Sequence, residues 1–473
     1  MSGMRAPHLR SLGFVAAATF VALAALLAPG KARAQLDTRH WIPPLWAVLN
    51  DSNVDDHFVT VSTPEVSPVA FTLKDGAGNT YTGTVSNSAP VTLQIGNNSA
   101  GYAAYTAGGW AGTHTAHVRC GVATLNTVNT DGLIVESERP VYVSIRQKSG
   151  SQGEVVASPG RKGLGTEFRA IFARNDKTSA TNRGSFISVM ATLPGTTTVT
   201  FDAIKTGVRF YGRAATSGTT DAFTITLNQY ESYIIGQQNS DTTYPFTAPL
   251  ADLNGLRITS SQLITATSGF WLGGPSTTGG QDVGVDQLVP VETAGTLFVL
   301  IKGNALATNL METVTVVATQ NDTNIYVKGS TTPLNPTPLA AGGYYFVNNQ
   351  YVGDGLYMTT SKPVMVVQEI GGSDSYATPG ANVIPPLGAD AANSVDNIPN
   401  VAWVGTATIG IVTRTGASLL VNGAAPSVSA QSITGTTEWV TYKINGLTGN
   451  VSVVSNAAVA VSLINVSGAI GSA

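Results

Sequence analysis

The sequence predicts an all-β protein made of tandem β-sandwich-like modules with internal repeats. Three observations predict it. A strand grammar recurs four times along the chain. The composition is sparse in charge, 11% against about 25% in an average soluble domain, and apolar residues make up 43%. Turn-forming residues, including 51 glycines, punctuate short Val-rich and Thr-rich runs.

The repeat has two halves. In the first, an alternating strand, a turn and a second alternating strand read as a hairpin. It occurs as Phe58–Thr63 with Val69–Leu73, Phe186–Thr192 with Thr198–Asp202, Val314–Thr319 with Thr323–Val327, and Thr408–Thr413 with Ser418–Val421. The second half reads as two apolar strands around a turn rich in Ser, Thr or Asn, sometimes with Pro. It occurs as Gly132–Ser144, Gly255–Ala266, Gly355–Val367 and Gly449–Val461. Four recurrences in one order point to a duplicated unit. A sheet with one apolar face must cover it, and a second sheet does so in a sandwich.

This gives modules at 35–150, 151–280, 281–378 and 379–473, the first carrying an amino-terminal Trp/Pro segment, His40–Trp46, expected to pack on it. Ala305–Glu312 is the one helix-like stretch, read here as a loop. Gly274–Gly284, Thr331–Gly343 and Thr378–Asn400 are expected loops.

Residues 1–34 read as a signal peptide. Arg5 and Arg10 precede an apolar stretch from Leu12 to Ala28, and Ala32-Arg33-Ala34 forms a small-x-small cleavage site before Gln35. Export places the chain extracellularly or at a cell surface. No later apolar run is long enough for a membrane helix. Losing Arg5, Arg10, Lys31 and Arg33, with no acid, takes the formal charge from −3 to about −7. A net negative chain without basic clusters is a poor nucleic-acid ligand.

Chemistry-bearing residues are scarce. Of five histidines, His40, His57, His114 and His117 follow the cleavage site. No Gly-x-Ser-x-Gly elbow is present. His114, His117 and Cys120 have a spacing that suits zinc on a helix, but their segment reads as a strand, which turns His117 away. Cys120 is the single cysteine, so no internal disulfide forms. Asp51, Asn53, Asp55 and Asp56 are weak calcium candidates, and Asp282, Asp286 and Asp322 offer further oxygens, but none matches a calcium loop. Glu136 and Glu138 share a strand face without a glycosidase signature. Trp110 and Trp271 are the binding candidates; Trp271 is flanked by Gly269, Gly273 and Gly274. Tyr344-Tyr345-Phe346 and Trp403 could stack on sugars or fill cores.

Several segments then resemble a known family. The Ile42-Pro43-Pro44-Leu45 opening, Gly163–Phe168, Val285–Pro290 and Lys362–Gln368 are similar to the amino-terminal domain of IgG Fc-binding proteins, including bacterial surface members. The resemblance spans about residues 40–465 and implies extracellular β modules with an adhesive or recognition role. It carries over no catalytic or ligand residue. The resulting expectation is a non-catalytic, secreted or surface adhesion or structural protein. Its partners would be an extracellular protein, a glycan or a second copy of itself. The alternative is an extracellular carbohydrate-binding protein. An extracellular hydrolase is the least supported reading.

Overall fold

The structure, a computed structural model, describes residues 35–46, 56–76, 78–95, 119–120, 125–149, 152–176, 185–208, 210, 222–237, 253–275, 282–306, 310–371, 379–388, 391–467 and 470–472. They all lie in one compact body beginning at Arg33. The described residues form β-strands joined by turns and short 3-10 turns, with no α-helix among them.

The first unit shows the plan. Its strands are β1 (Asp37–Ile42), β2 (Leu45–Trp46), β3 (Asp56–Ser62), β4 (Val69–Asp75), β5 (Thr80–Val85), β6 (Val91–Gln94), β7 (Arg119–Cys120), β8 (Val128–Asn129), β9 (Leu133–Ser149) and β10 (Gln152–Ala157). β9 is 17 residues long and serves both sheets. Its first arm lies between β1 and β4, with β5 outside β4. Its second arm lies between β10 and β3, with β6 outside β3. β4 buries Val69, Phe71 and Leu73 on one side and turns Ala70, Thr72 and Lys74 outward, as period-2 alternation dictates. Val59 and Val61 of the other sheet meet them in one core.

The second unit repeats this plan with β11 (Gly165–Arg169), β12 (Ser185–Ala191), β13 (Thr197–Asp202), β14 (Phe223–Leu227), β15 (Ser232–Gly236), β16 (Arg257–Gly273) and β17 (Asp282–Gln287). β8 adds to the edge of its sheet at β15. The third has β18 (Gly295–Ile301), β19 (Val314–Ala318), β20 (Ile325–Val327), β21 (Tyr344–Val347), β22 (Gly355–Gly371) and β23 (Pro379–Val383). The fourth has β24 (Ser394–Ile398), β25 (Thr406–Arg414), β26 (Leu419–Val421), β27 (Gln431–Ser432), β28 (Trp439–Leu447), β29 (Val451–Ser455), β30 (Val459–Ser467) and β31 (Ile470–Ser472). β16 and β22 also have 17 residues; in the fourth unit β29 and β30 are the two arms, separated at Asn456–Ala458.

The repeat is therefore real but wired differently from the hairpin expected from sequence. β3 does not pair with β4. Both pair with β9, one on each arm. β12 and β13 flank β16, β19 and β20 flank β22, and β25 and β26 flank β30 and β29 in the same way. A long strand that arrives later inserts between two neighbours in sequence. What reads as a turn inside the second half is, in three units, a bend within one continuous strand.

The bend is built by the same chemistry each time. Ser137 Oγ donates to the Arg139 carbonyl at 2.8 Å, Ser260 Oγ to Gln262 at 2.7 Å and Thr360 Oγ1 to Lys362 at 2.7 Å. In the fourth unit Ser455 Oγ instead accepts from the Ala457 amide at 3.1 Å. A threonine ending the neighbouring strand then clamps the corner. Thr63, Thr192, Thr319 and Thr413 donate to the carbonyls of Pro140, Leu263, Pro363 and Ala458 at 2.9, 2.7, 2.6 and 2.9 Å. The strand facing each bend shifts register, at Asp37/Arg39, Gly165/Glu167, Gly295/Leu297 and Val395/Ile398. Such a bulge turns the strand pair from one sheet to the next, and it tolerates Pro140 and Pro363 in mid-strand.

Several expected loops hold structure. Gly274–Gly284 runs into β17, and Thr378–Asn400 contains β23 and β24. Thr331–Gly343 carries no strand, but Asn335 is buried there. It accepts from the Ile325 amide at 2.8 Å and donates to the carbonyls of Thr323 and Thr337 at 3.1 and 2.8 Å. It thus satisfies the edge of β20, where the first two units place an additional strand. At the amino terminus, Trp41, Ile42 and Leu45 are buried as expected, with Trp41 against Ile134 and Met190.

Candidate functional site at the seams between units

The closing strand of each unit returns along the second arm of its long strand. These four strands also meet one another: β10 packs beside β17, β17 beside β23, β23 beside β31 and β31 beside β10. The units thus form a closed circuit, the fourth returning to the first.

The closing strands are short and rich in Gly, and acids fix them to one another. Asp282 of the second unit accepts the Gly153 amide of the first at 2.8 Å. Glu154 of the first unit accepts the Ala381 amide of the third at 3.0 Å. Asp286 of the second accepts the Val383 amide of the third at 2.7 Å and its own neighbour Gln287 N at 2.7 Å. Backbone N–H groups at a seam must find acceptors, and here carboxylates supply them. Burial pushes the Asp286 carboxyl up to about 7, the two amide bonds opposing it. Beside it lies a void with room for about one water molecule, lined by Phe172, Ser268, Asp286 and Val383 among others.

From this interior the segment after β11 runs outward between the second and third units. Ile171 and Phe172 are buried, held by Ser268 Oγ on the Ile171 carbonyl at 2.6 Å and Asn254 Oδ1 on the Phe172 amide at 2.9 Å. Val317, Met365, Val367 and Ala381 of the third unit complete that core. The segment surfaces at Arg174, which pairs with Asp176 at 2.7 Å and lies over the Phe346 ring at 5.3 Å. Lys205 Nζ stands 4.1 Å over the half-buried Tyr344 ring, and Tyr344 meets Phe346 edge-on at 5.2 Å. Cations over aromatic faces and ring edges present a flat, amphipathic surface suited to recognition.

Two further carboxyls lie deep in the third unit. Glu312 accepts the amides of Gly303, Ala305 and Gly371 at 2.9, 3.1 and 3.2 Å, anchoring the short turn Leu310–Glu312; burial raises its pKa to about 8 against these bonds. Glu369 is shut in completely, and burial raises its pKa well above the usual carboxylate range, opposed by Arg174.

The sequence candidates fall unevenly on this frame. Trp110, His114, His117, Asp51, Asn53 and Asp55 lie outside the described residues. Asp56 is in β3 opposite Lys148, and Cys120 is in β7 opposite Trp46. The backbone of Trp271 sits near the end of β16, where pairing with β17 shifts register between Phe270 and Gly273. Gly274 N donates to Asn175 Oδ1 at 3.3 Å, and Asp176 N to the Gly274 carbonyl at 2.8 Å. The Trp271 strand end therefore adjoins the segment carrying Arg174. His40 is buried with Nε2 2.9 Å from the Val141 carbonyl; burial lowers its pKa. Glu136 is engaged by Lys74 at 2.9 Å and by Arg39, so it belongs to an ion cluster. Burial pushes its carboxyl up, but the two cations outweigh that and hold it low. Trp403 fills a seam beneath Arg146, 5.7 Å from its ring centre. Among the described residues no group of three His, Cys, Asp or Glu is placed to hold a metal ion.

The sequence motifs meet in space. Gly165 packs on Pro290 so closely that a Cβ would stand 2.3 Å from the proline Cβ, which joins Gly163–Phe168 to Val285–Pro290. The model of a family described as IgGFc binding protein matches residues 153–464. The chain belongs to this IgGFc-binding family. The match starts within β10 and ends within β30, so it takes in the closing strand of the first unit and nearly all of the other three. The Ile42–Leu45 opening lies outside it. No curated protein shows significant similarity to the chain. A solved structure, a tetra-tandem repeat in the extending region of a large adhesion protein, is 13% identical, with 88% of this chain and 97% of that chain covered at a TM-score of 0.08. That likeness carries no argument. No helix among the described residues is long and apolar enough to cross a membrane.

Proposed function

We propose that this IgGFc-binding family member is an exported, non-catalytic adhesion or recognition protein that binds an extracellular protein partner. The family match carries the reading. The molecule supports it in two ways. Among the described residues, the buried acids Asp282, Glu154, Asp286 and Glu312 are engaged with backbone amides, which gives them a structural use. At the seam between the second and third units Arg174, Phe346, Tyr344 and Lys205 set cationic and aromatic groups side by side over a packed core.

The test is saturable binding of the chain from Gln35 to immobilised extracellular proteins, the immunoglobulin Fc fragment first. Binding weakened at least tenfold by Phe346→Ala with Arg174→Ala supports the reading. Absence of saturable binding across Fc, matrix proteins and mucins overturns it.

A glycan is the second reading, favoured by the Trp271 strand end adjoining the same segment. It requires glycan-array binding that Trp271→Ala abolishes. Export is checked separately, by amino-terminal sequencing of secreted protein, with Gln35 expected first.

A further inference from the structure

The four seams of the circuit differ in kind. Between the first and second units, Phe186, Ile234, Val283 and Val285 enter the core of the first. Between the second and third, Val317, Met365, Val367 and Ala381 enter the core of the second. Between the third and fourth, Val299 and Ile301 pack with Val412, Ile433 and Trp439. The first two of these seams are continuous with hydrophobic cores and the third is an apolar cluster of its own; all three join units adjacent in sequence.

The seam that closes the circuit is polar. Ser62 Oγ donates to the Asn397 carbonyl at 2.9 Å, and Asn397 Nδ2 donates to the carbonyls of Thr63 and Asn87 at 3.0 and 3.1 Å. Arg146 donates to the carbonyls of Asn400, at 3.1 Å, and Pro399. Tyr142 Oη accepts the Asp396 amide at 3.3 Å. The apolar part is Trp403 and Val404 against Val155. Arg146 is 3% exposed, and its Nε makes no hydrogen bond. A buried guanidinium regains hydration when such a seam opens, which offsets the bonds lost. Polar interfaces of this kind belong to reversible contacts, and closing this one also constrains the longest stretch of chain.

We propose that the first-to-fourth seam is a reversible latch, and that its two faces, once parted, take the matching faces of a second copy of the chain. The faces already fit each other, so no new surface is required. They are different patches, so the contact between copies is head-to-tail. This deepens the adhesive reading above by naming a second copy as partner, and it is tested on purified protein alone, so failure of Fc, matrix or mucin binding leaves its outcome unaffected.

The experiment uses the chain from Gln35 with Cys120→Ala, Ser62→Cys and Asn397→Cys, before and after bridging the two thiols with a short bismaleimide at high dilution. Sedimentation equilibrium should show the unbridged form associating reversibly as concentration rises, since the substitutions weaken the same contact within and between copies alike, and the bridged form staying monomeric. Equal association of bridged and unbridged forms overturns the proposal, as does a monomer in both. Hydrogen exchange on the unsubstituted chain gives an independent reading. The Asp396 amide should exchange at least tenfold faster than the Val383 amide; equal protection overturns the latch.

Discussion

Thr319 Oγ1 donates a 2.6 Å hydrogen bond to the Pro363 carbonyl, tying the end of β19 to the corner of β22. The corner carbonyl sits where the strand leaves one sheet for the other, and it also accepts the Thr319 amide at 3.4 Å. A buried hydrogen bond of this type contributes about 1 kcal/mol. Thr319→Ala is expected to lower unfolding free energy by about that amount in urea titrations, while Thr319→Ser keeps most of it. Equal losses in both variants would show that the methyl group, and not the hydroxyl, holds the corner.

Asp286 gives the fold a pH dependence of definite sign. Burial raises its native pKa to about 7, whereas an unfolded Asp titrates near ~3.9. Between these values the native state holds a proton that the unfolded state has lost. Stability is therefore greatest below the unfolded pKa, falls as pH rises through this window, and levels off above about 7 as far as this group is concerned. The expected change is at most about 4 kcal/mol, the separation of the two pKa values at ~1.4 kcal/mol for each pH unit, with the Val383 and Gln287 amides already contained in the native value. Asp286→Asn should flatten the profile between pH 4 and 7, approximately the two pKa values. Thermal melts that fall equally with pH in both proteins would refute the assignment.

The contact of Gly165 with Pro290 leaves no room for a side chain, whereas Gly388 has no neighbouring atom within 4 Å of its notional Cβ. Gly165→Ala should cost about 1–3 kcal/mol through overpacking. Gly388→Ala should stay within about 0.5 kcal/mol of the parent. Chemical denaturation of the two single variants decides this, and a neutral Gly165→Ala would mean that the family motifs join loosely.

Asn335 stands in for a strand. Removing its side chain in Asn335→Ala leaves the Ile325 amide and the Thr337 carbonyl without that partner, while the Thr323 carbonyl keeps the Leu339 amide, at an expected cost of about 1–3 kcal/mol. Limited proteolysis should then cut between Thr331 and Gly343 well before the parent is cut. An unchanged cleavage rate would show that the loop is held by other contacts.

Strand content, the four-fold recurrence and the location of each bend were legible in the sequence, because alternation and Ser, Thr or Pro at the corner are local signals. Pairing was not. Whether Phe58–Ser62 lies beside Val69–Leu73 depends on β9, more than fifty residues later, and no local pattern reports an inserted strand. Asp282, Val283 and Gly284 of β17, and all of Pro379–Val383, fell in expected loops because Gly, Asp, Pro and Asn interrupt the apolar pattern there. Their strand state comes from neighbouring units that cover both faces and accept their amides. The same cause hid the seam carboxylates: Asp286 in isolation looks like a solvated turn residue, and only the arrival of Val383 gives it a role. Tyr344 and Phe346 were legible as aromatics, but their cationic partners Arg174 and Lys205 come from another unit.

The closing strand β10 has a consequence for how the chain comes into being. It lies between β17 and β31, and both are synthesised long after it. On the ribosome the first unit must wait with a half-built flank, and the circuit can close only after β31 has emerged. Contacts this distant in sequence make for slow assembly. A chain that cannot finish early keeps its first unit unlocked for longer.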